Sequence, residues 1–321
     1  MKAVVIHQTG GPEVLQYQAL LSPEPGPTDL IVRNRAIGVN YIDTYQRSGL
    51  APLELPVVIG LEAAGEVIRV GDDVSGFKVG DLVAYGNQPG AYADETRVAA
   101  DKAIPLPEGL DPKLAAAGLL QGMTAHYLVN STYPLKAGDS CLIHAAAGGV
   151  GLLLTQMASQ IGARVIATVS TEEKAELAQR AGASEVILYT EQDFAAATLE
   201  LTHGLGVDVV YDSVGKTTFD GSLQVLKAQG YLALFGHSSG TVPPFDPLRL
   251  GAKSLFLTRP SLFNYVDNRP DLLWRAGAVF DAILNQKLHL RIDRTLKLRD
   301  AAEAHRLLQS RTTKGKLLLI P

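Results

Sequence analysis

The chain has 321 residues, 46% of them apolar, and a formal charge of -4 with an isoelectric point near 6.0. That length exceeds what a single core usually organises, so two domains are the starting expectation. A mildly acidic balance without Lys/Arg clusters lacks the electrostatic footprint of a nucleic-acid or anionic-membrane binder. Cys141 is the only cysteine, which excludes an intrachain disulfide and a cysteine-rich zinc lobe. The start, MKAVVIHQTGGPEV, lacks the basic, apolar and small-residue regions of a secretory signal. No apolar run approaches the roughly 18 residues that span a bilayer. The expectation is a cytoplasmic protein with no membrane insertion.

In chain order, KAVVIHQTGGPEV, DLIVRNRAIGV, EAAGEVIRVGDDV, FKVGDLVAYG and GAYADETRVAADKAIPLP are short β-branched runs broken by Gly and Pro. Their close spacing predicts a small β-rich, barrel-like domain. DPKLAAAGLLQGMTAHYLV then changes period and predicts a helix. From about Lys136 strands and helices alternate. SCLIH is a strand; VGLLLTQMASQIGA is a helix with Val150, Leu153, Leu154, Met157, Ala158 and Ile161 on one stripe and Gly162 as its stop. RVIATV is the next strand, and STEEKAELAQRAGA the next helix, with Ser170 and Glu173 spaced as a capping box. EVILY, VDVVYDSVG, YLALFG and SLFLT follow. Such alternation predicts a doubly wound parallel sheet covered on both faces. Beyond Pro260 comes a helix with Leu272, Leu273, Ala276, Val279, Phe280, Ile283 and Leu284 inward, then LHLRIDRTLKL, RDAAEAHRLLQ and GKLLLIP as strand, helix and strand. This tail is too small to bury its own core, so it is expected to return to the first domain.

The first strand-to-helix turn of the alternating series reads HAAAGGVG, residues 144–151. It fits the dinucleotide fingerprint with Ala146 at the first glycine position, followed by Gly148 and Gly151. Small-residue loops also occur only to let a helix pack on a sheet, but the strand–turn–helix context favours a pyrophosphate held at the helix N-terminus. At the end of RVIATV an NAD site usually places Asp or Glu for the ribose hydroxyls. Here stand Ser170 and Thr171, with Lys174 one turn on. A missing carboxylate with hydroxyls and a cation suits a 2′-phosphate, and Ser170 can also cap the helix. NADPH is favoured over NADH.

With HAAAGGVG, the segments HQTGGPEVLQ, NYIDTYQRSGL, GLEAAGEV, VYDSVG, FGHSSG, TRPSL and LLLIP resemble the zeta-crystallin-type quinone oxidoreductases of the medium-chain dehydrogenase/reductase superfamily, bacterial members in particular. The resemblance implies an α/β chain with a GroES-like β-rich catalytic domain at 1–123, a Rossmann domain at 124–262, a return to the catalytic domain at 263–321, and an active site between the two domains. It further implies that Tyr41, Ile42, Asp43 and Thr124 line the nicotinamide end of NADPH, and that Gly149 and Val150 join Gly148 at the pyrophosphate. Ser170, Thr171, Lys174 and Tyr189 would surround the 2′-phosphate, with Arg311 reaching the same region. Ser213, Phe235, Gly236, His237, Ser238, Pro260, Ser261 and Leu262 would complete the path to the nicotinamide.

In the zinc alcohol dehydrogenases of that superfamily the segment matching GVNYID carries a ligand Cys and the segment matching GLE a His; Asn40 and Leu61 stand here instead. Neither replaces a thiolate or imidazole on zinc. Cys141 falls in a predicted core strand, and His7, His126, His144, His203, His237, His289 and His305 show no ligand spacing and read as surface or hydrogen-bonded residues. No metal is therefore expected. A quinone accepts electrons without a Lewis acid if it is held against the nicotinamide and water is excluded. Asn40 and Tyr45 are the first candidates to orient its carbonyls, Tyr127 and Arg259 the second. Each tyrosine could equally be a core or interface aromatic with a satisfied hydroxyl. Two other readings stand beside quinone reduction: reduction of an activated alkene such as an enone or enoyl thioester, with Tyr45 as proton donor, and a non-enzymatic RNA-binding or crystallin-like structural role. SLFLT, apolar on both faces yet expected at the sheet edge, predicts a homodimer formed by strand addition.

Overall fold

The computed structural model describes residues 1–321. The chain divides into two compact units, one of residues 1–123 with 266–321 and one of residues 124–265. No helix is long and apolar enough to cross a membrane.

In the first unit lie strands β1 (Lys2–Ile6), β2 (Gln16–Ala19), β3 (Asp29–Val39), β4 (Val57–Val58), β5 (Glu62–Val70), β6 (Leu82–Gly86), β7 (Glu95–Ala99) and β8 (Ile104–Pro105), helix α1 (Tyr41–Ser48) and the start of α2 (Pro112–Tyr127). A small sheet runs β2-β1-β4, and β3 anchors the larger one, pairing antiparallel with β5 and β7. Within DLIVRNRAIGV, Leu30 and Val32 reach the core while Arg33 and Arg35 on the other parity face solvent, and a register shift between Asn34 and Ala36 changes the parity so that Ile37 and Val39 join the same core.

The second unit continues with β9 (Ser140–Ile143), α3 (Gly149–Ile161), β10 (Arg164–Val169), α4 (Glu172–Arg180), β11 (Glu185–Leu188), α5 (Phe194–Leu201), β12 (Val207–Asp212), α6 (Phe219–Gln224), β13 (Leu226–Leu234), β14 (Phe256–Thr258) and α7 (Leu262–Tyr265). Its six strands are all parallel, in the order β11-β10-β9-β12-β13-β14. The order reverses between β9 and β12, and in open α/β sheets ligands bind beyond the strand ends at that reversal. Leu142, Ile166, Val210 and Leu232 fill the core against Phe219 and Leu223 of α6. SLFLT lies at an edge, as its place in the series predicted.

The chain then returns to the first unit with α8 (Arg269–Leu284), β15 (Ile292–Lys297), α9 (Ala301–Gln309) and β16 (Lys316–Ile320). β16 pairs antiparallel with β3, and Leu298, Ala301, Ala304, Leu317 and Leu319 share one core with Val4, Ile37 and Tyr85. In α8, Leu272, Ala276, Val279 and Phe280 are buried, but Leu273 and Leu284 face outward, which corrects the inward stripe read from sequence. Arg275 takes a buried place instead, its guanidinium 4.6 Å from the ring of Trp274. A long side chain with an aromatic partner can lie along an apolar surface, and hydropathy periodicity does not register it.

Candidate functional site

In the second unit the candidate residues collect at the C-terminal ends of the parallel strands. β9 ends at Ile143, and the turn to α3 is closed by the Gly148 N–H donating to the carbonyl of Ala145 at 2.9 Å, with Ala145 at a φ of 51°. The two fingerprint glycines do different things. A Cβ on Gly151 would overlap the Ala145 carbonyl and lie 2.7 Å from Ala146 Cα, so this glycine lets α3 sit tightly on β9. A Cβ on Gly148 would meet only the Ala145 oxygen, at 3.1 Å. Internal packing constrains position 148 far less than 151, since one carbonyl oxygen would have to give by only a few tenths of an ångström. A ligand approaching from outside would require glycine at 148, and the free N–H groups and dipole at the start of α3 favour an anion there.

At the next strand end, Ser170 and Thr171 follow β10. Lys174 Nζ lies 3.4 Å from Ser170 Oγ, and Thr190, beside the exposed Tyr189, donates to the Ser170 carbonyl at 3.1 Å. Ser170, Thr171, Lys174 and Tyr189 are thus neighbours, with no carboxylate placed on the Ser170 hydroxyl. The helix cap is Thr171, whose hydroxyl accepts from the Lys174 N–H. The helix cap expected at Ser170 falls one residue later, which leaves the Ser170 hydroxyl to the lysine.

Beyond β12 and β13, the Ser238 N–H donates to the Ser213 carbonyl at 3.2 Å, and Gly236 packs so closely on Ser213 that a Cβ would strike its backbone. Beneath these turns is a buried polar chain. Thr168 donates to His144 Nδ1 at 2.9 Å, His144 Nε2 lies 3.0 Å from Ser222 Oγ, and Ser222 donates to Asp212 at 3.0 Å. Asp212 also accepts from the N–H groups of Val214 and Gly215. Although it contains Ser, His and Asp, the serine rather than the histidine is central, and all three are buried. Burial pushes the His144 pKa down, keeping it neutral. The chain is a brace that ties the first residue of HAAAGGVG to β10, β12 and α6, not a nucleophilic triad.

Thr124 is buried near the end of α2. Tyr127 is 1% exposed and stacks on Tyr265 with centroids 4.2 Å apart. Arg259 is exposed; its guanidinium donates to the Leu234 carbonyl and to His237 Nδ1, each at 2.9 Å, so it braces the Phe235–Ser238 turn. Pro260 and Leu262 are buried and Ser261 half-buried just beyond it.

In the first unit, Asn40 caps α1, which carries Tyr41, Ile42, Asp43 and Tyr45, with the Tyr41 and Tyr45 rings 5.4 Å apart. Arg311, exposed before β16 with a φ of 60°, lowers the Tyr41 pKa against a larger upward push from burial. The Asn40 side chain is almost fully engaged. Its Oδ1 accepts from Lys316 Nζ at 2.8 Å, and its Nδ2 donates to Glu62 Oε2 at 2.8 Å and loosely to the Gly38 carbonyl at 3.4 Å. Lys316 and Glu62 pair directly at 2.6 Å, with side chains 2% and 0% exposed. Sequence reasoning missed both. The available signal was one charge at the head of each of two apolar strands, Glu62 before AAG and Lys316 before LLLI.

Asp43 begins a second buried network. Its carboxylate accepts from the Asn40 backbone N–H at 2.8 Å and from Tyr92 at 2.9 Å, while its Oδ1 has no partner. His305 Nε2 lies 3.0 Å from the Tyr92 hydroxyl, and Arg47 lies 3.3 Å from His305 Nδ1. Arginine can only donate, so Nδ1 accepts and the imidazole proton sits on Nε2. Burial pushes the Asp43 pKa from 3.8 up to about 7, against the Asn40 and Tyr92 hydrogen bonds and the Lys316 charge. Burial, helped by Arg47, pushes His305 from 6.5 down to about 3.

These shifts act on stability with opposite signs. A raised carboxyl contributes stability that is present below 3.8 and lost as pH rises through about 7. A depressed imidazole contributes stability that is present above 6.5 and lost as pH falls toward about 3. In the overlap the folded chain holds the proton on Asp43 and the unfolded chain holds it on His305, so the pair takes up no net proton on folding. The unfolding free energy of Asp43→Asn from urea titration, relative to wild type, should fall with acidification by about 1.4 kcal/mol per pH unit in that overlap, and that of His305→Gln should rise by a similar slope. Parallel profiles for all three proteins would contradict this pairing.

The same geometry tests whether zinc fits. No group of three or more His, Cys, Asp or Glu side chains is placed to hold a metal ion. Leu61 is buried and apolar, and the Lys316 ammonium already occupies the oxygens of Asn40 and Glu62. A divalent cation at those oxygens would meet a fixed positive charge, so the residues do not fit the metal.

Two family models match, an alcohol dehydrogenase GroES-like domain over residues 26–129 and a zinc-binding dehydrogenase over residues 149–272. The chain is 46% identical to a quinone oxidoreductase of Pseudomonas aeruginosa, with 97% of both chains covered. It is 45% identical to a 2-haloacrylate reductase of a Burkholderia species, covering 99% of this chain and 98% of the relative. Among solved structures, Escherichia coli quinone oxidoreductase complexed with NADPH superposes with a TM-score of 0.98 at 43% identity over 100% of both chains. A mycobacterial protein complexed with NADPH superposes at 0.97 with 48% identity, again over 100% of both chains. Full-length identity of this order, on the glycine loop and strand order just described, places the chain in the quinone oxidoreductase family of the medium-chain dehydrogenase/reductase superfamily.

Proposed function

We propose that this chain reduces quinones with NADPH. The observation that carries the reading is the end of β10, where Ser170, Thr171 and Lys174 stand beside a glycine loop that packs tightly at Gly151 and much more loosely at Gly148. The relatives with NADPH in their crystals support the same cofactor. NADPH supplies a hydride from its reduced nicotinamide. The amides of Gly149 and Val150 bind the diphosphate, which the bare Cα of Gly148 lets approach, and Ser170, Thr171, Lys174, Tyr189 and Arg311 bind the 2′-phosphate. Tyr41, Ile42, Asp43, Thr124, Ser213, the Phe235–Ser238 turn and Pro260–Leu262 hold the nicotinamide end and exclude water. Asn40 and Tyr45 orient the quinone; the loosely used Asn40 N–H, now on Gly38, is the donor it can offer. Tyr127, stacked on Tyr265 and buried, lines the quinone site, and Arg259 braces the Phe235–Ser238 turn.

Anaerobic NADPH consumption with 1,4-benzoquinone, with an enone and without acceptor tests the reading. Quinone should exceed enone in kcat/KM by about tenfold or more; no quinone-dependent oxidation overturns it. Reduction of an activated alkene is the second reading, favoured by the 45% identity to the 2-haloacrylate reductase. It wins if the ratio reverses.

We also infer a homodimer through the outer edge of β14. Phe256 there is 49% exposed and stacks on Tyr231 at 4.4 Å, an apolar edge open to strand addition. Sedimentation at micromolar concentration should give a dimer, and a fully active monomer would contradict it.

A further inference from the structure

Glu62 reaches two helices at once. Its Oε2 accepts from Asn40, the cap of α1, and from Lys316 of β16; its Oε1 accepts from the backbone N–H of Leu120 within α2 at 2.6 Å. The chain makes room for this carboxylate. A Cβ on Gly38 would overlap Glu62 Oε2 and lie 2.7 Å from the Ala116 carbonyl, one turn before Leu120. The pair also removes an ambiguity in Asn40. An amide beside a neutral hydrogen-bonding surface can flip with little cost; between an ammonium and a carboxylate only one orientation avoids donor–donor and acceptor–acceptor contact. Its oxygen faces Lys316 and its nitrogen faces Glu62, and an ammonium on the amide oxygen polarises the N–H bonds on the other side.

A fully buried ion pair is an expensive way to gain stability, because desolvation offsets most of its Coulombic attraction. Its geometry instead meets the two helices that carry Tyr41, Tyr45, Thr124 and Tyr127. We infer that Glu62 and Lys316 are positioning residues for the reduction, a single ion pair that orients the Asn40 amide and fixes α1 relative to α2 so that Asn40 and Tyr45 present themselves to the quinone. This rests on the reading that the start of α1 faces the substrate. It assigns the pair no contact with substrate or cofactor.

The test compares Lys316→Met, Glu62→Gln, Asn40→Ala and the double variant Asn40→Ala/Lys316→Met in the full-length enzyme, with thermal midpoints recorded for each. Lys316→Met is expected to lower kcat/KM for 1,4-benzoquinone by roughly tenfold or more, while the dissociation constant of NADPH stays within about threefold. In the Asn40→Ala background the same change should cost no more than about twofold, because the residue through which it acts is gone. Glu62→Gln, nearly isosteric, should reproduce the kinetic split if Lys316→Met fails to fold. Lowered midpoints with wild-type quinone kinetics in both Lys316→Met and Glu62→Gln would overturn the inference, as would additive losses in the double variant. Wild-type kinetics in Asn40→Ala would overturn the substrate-side reading of α1 and this inference with it. An impaired Asn40→Ala beside a normal Lys316→Met would overturn this inference alone.

Discussion

Lys174→Ala is expected to weaken NADPH about ten- to a hundredfold and to leave NADH within about twofold. Lys174 Nζ rests 3.4 Å from Ser170 Oγ, a long contact for an ammonium and a hydroxyl. The ammonium and the Ser170 hydroxyl stand together at the strand end where the adenosine ribose of a dinucleotide arrives in this fold. A 2′-phosphate there accepts a charge-assisted bond worth roughly 1.5–3 kcal/mol. NADH lacks that phosphate and loses nothing when the lysine goes. Ser170→Asp should go further, repelling the phosphate and offering NADH a ribose acceptor. The four dissociation constants should be measured at one ionic strength, since salt screens a half-exposed pair. Equal losses of NADPH and NADH in Lys174→Ala would assign the lysine to the fold instead.

The second large effect separates the two glycines of the loop. Gly151→Val should destabilise the protein by about 2–3 kcal/mol, because the new side chain meets backbone atoms of Ala145 and Ala146 that cannot move without shifting α3 off β9. Gly148→Val should cost much less stability than Gly151→Val, since only the Ala145 carbonyl has to give by a few tenths of an ångström, and should weaken both NADPH and NADH by about tenfold or more, since the diphosphate they share is expected to approach that position. Urea midpoints beside cofactor dissociation constants distinguish the two. A Gly148→Val protein that is strongly unstable, or that binds both cofactors normally, would mean that the loop serves packing alone.

What the sequence made legible follows from how local each signal is. The strand–turn–helix context of HAAAGGVG is carried by adjacent residues, and so is the run of alternating elements from β9 to β13, because each element buries its own periodic stripe. The cap on α4 was displaced by one residue because Ser170 and Thr171 are both competent caps and only their backbone conformation selects Thr171. Leu273 and Leu284 were misplaced for a related reason: hydropathy cannot see that Arg275 lies buried against Trp274. The charged cluster behind α1 was illegible for a different reason. Glu62 and Lys316 are 254 positions apart, and Tyr92 and His305 are 213 apart. A single charge at the head of an apolar strand ordinarily marks the point where the strand meets solvent. Only the pairing of β16 with β3 shows that these two charges meet inside the core. The pairing also changes what Asn40 can do, because an amide held by Glu62 and Lys316 has one loosely used N–H left for a substrate rather than a free side chain.

The most direct measurement is the ratio of kcat/KM for NADPH to that for NADH in the wild-type enzyme, with 1,4-benzoquinone as acceptor at saturating concentration. A glycine loop for the diphosphate and a hydroxyl–lysine cluster for the 2′-phosphate predict a ratio of about ten or more in favour of NADPH. A ratio near one, or a preference for NADH, would contradict the assignment of Ser170, Thr171 and Lys174 to the phosphate.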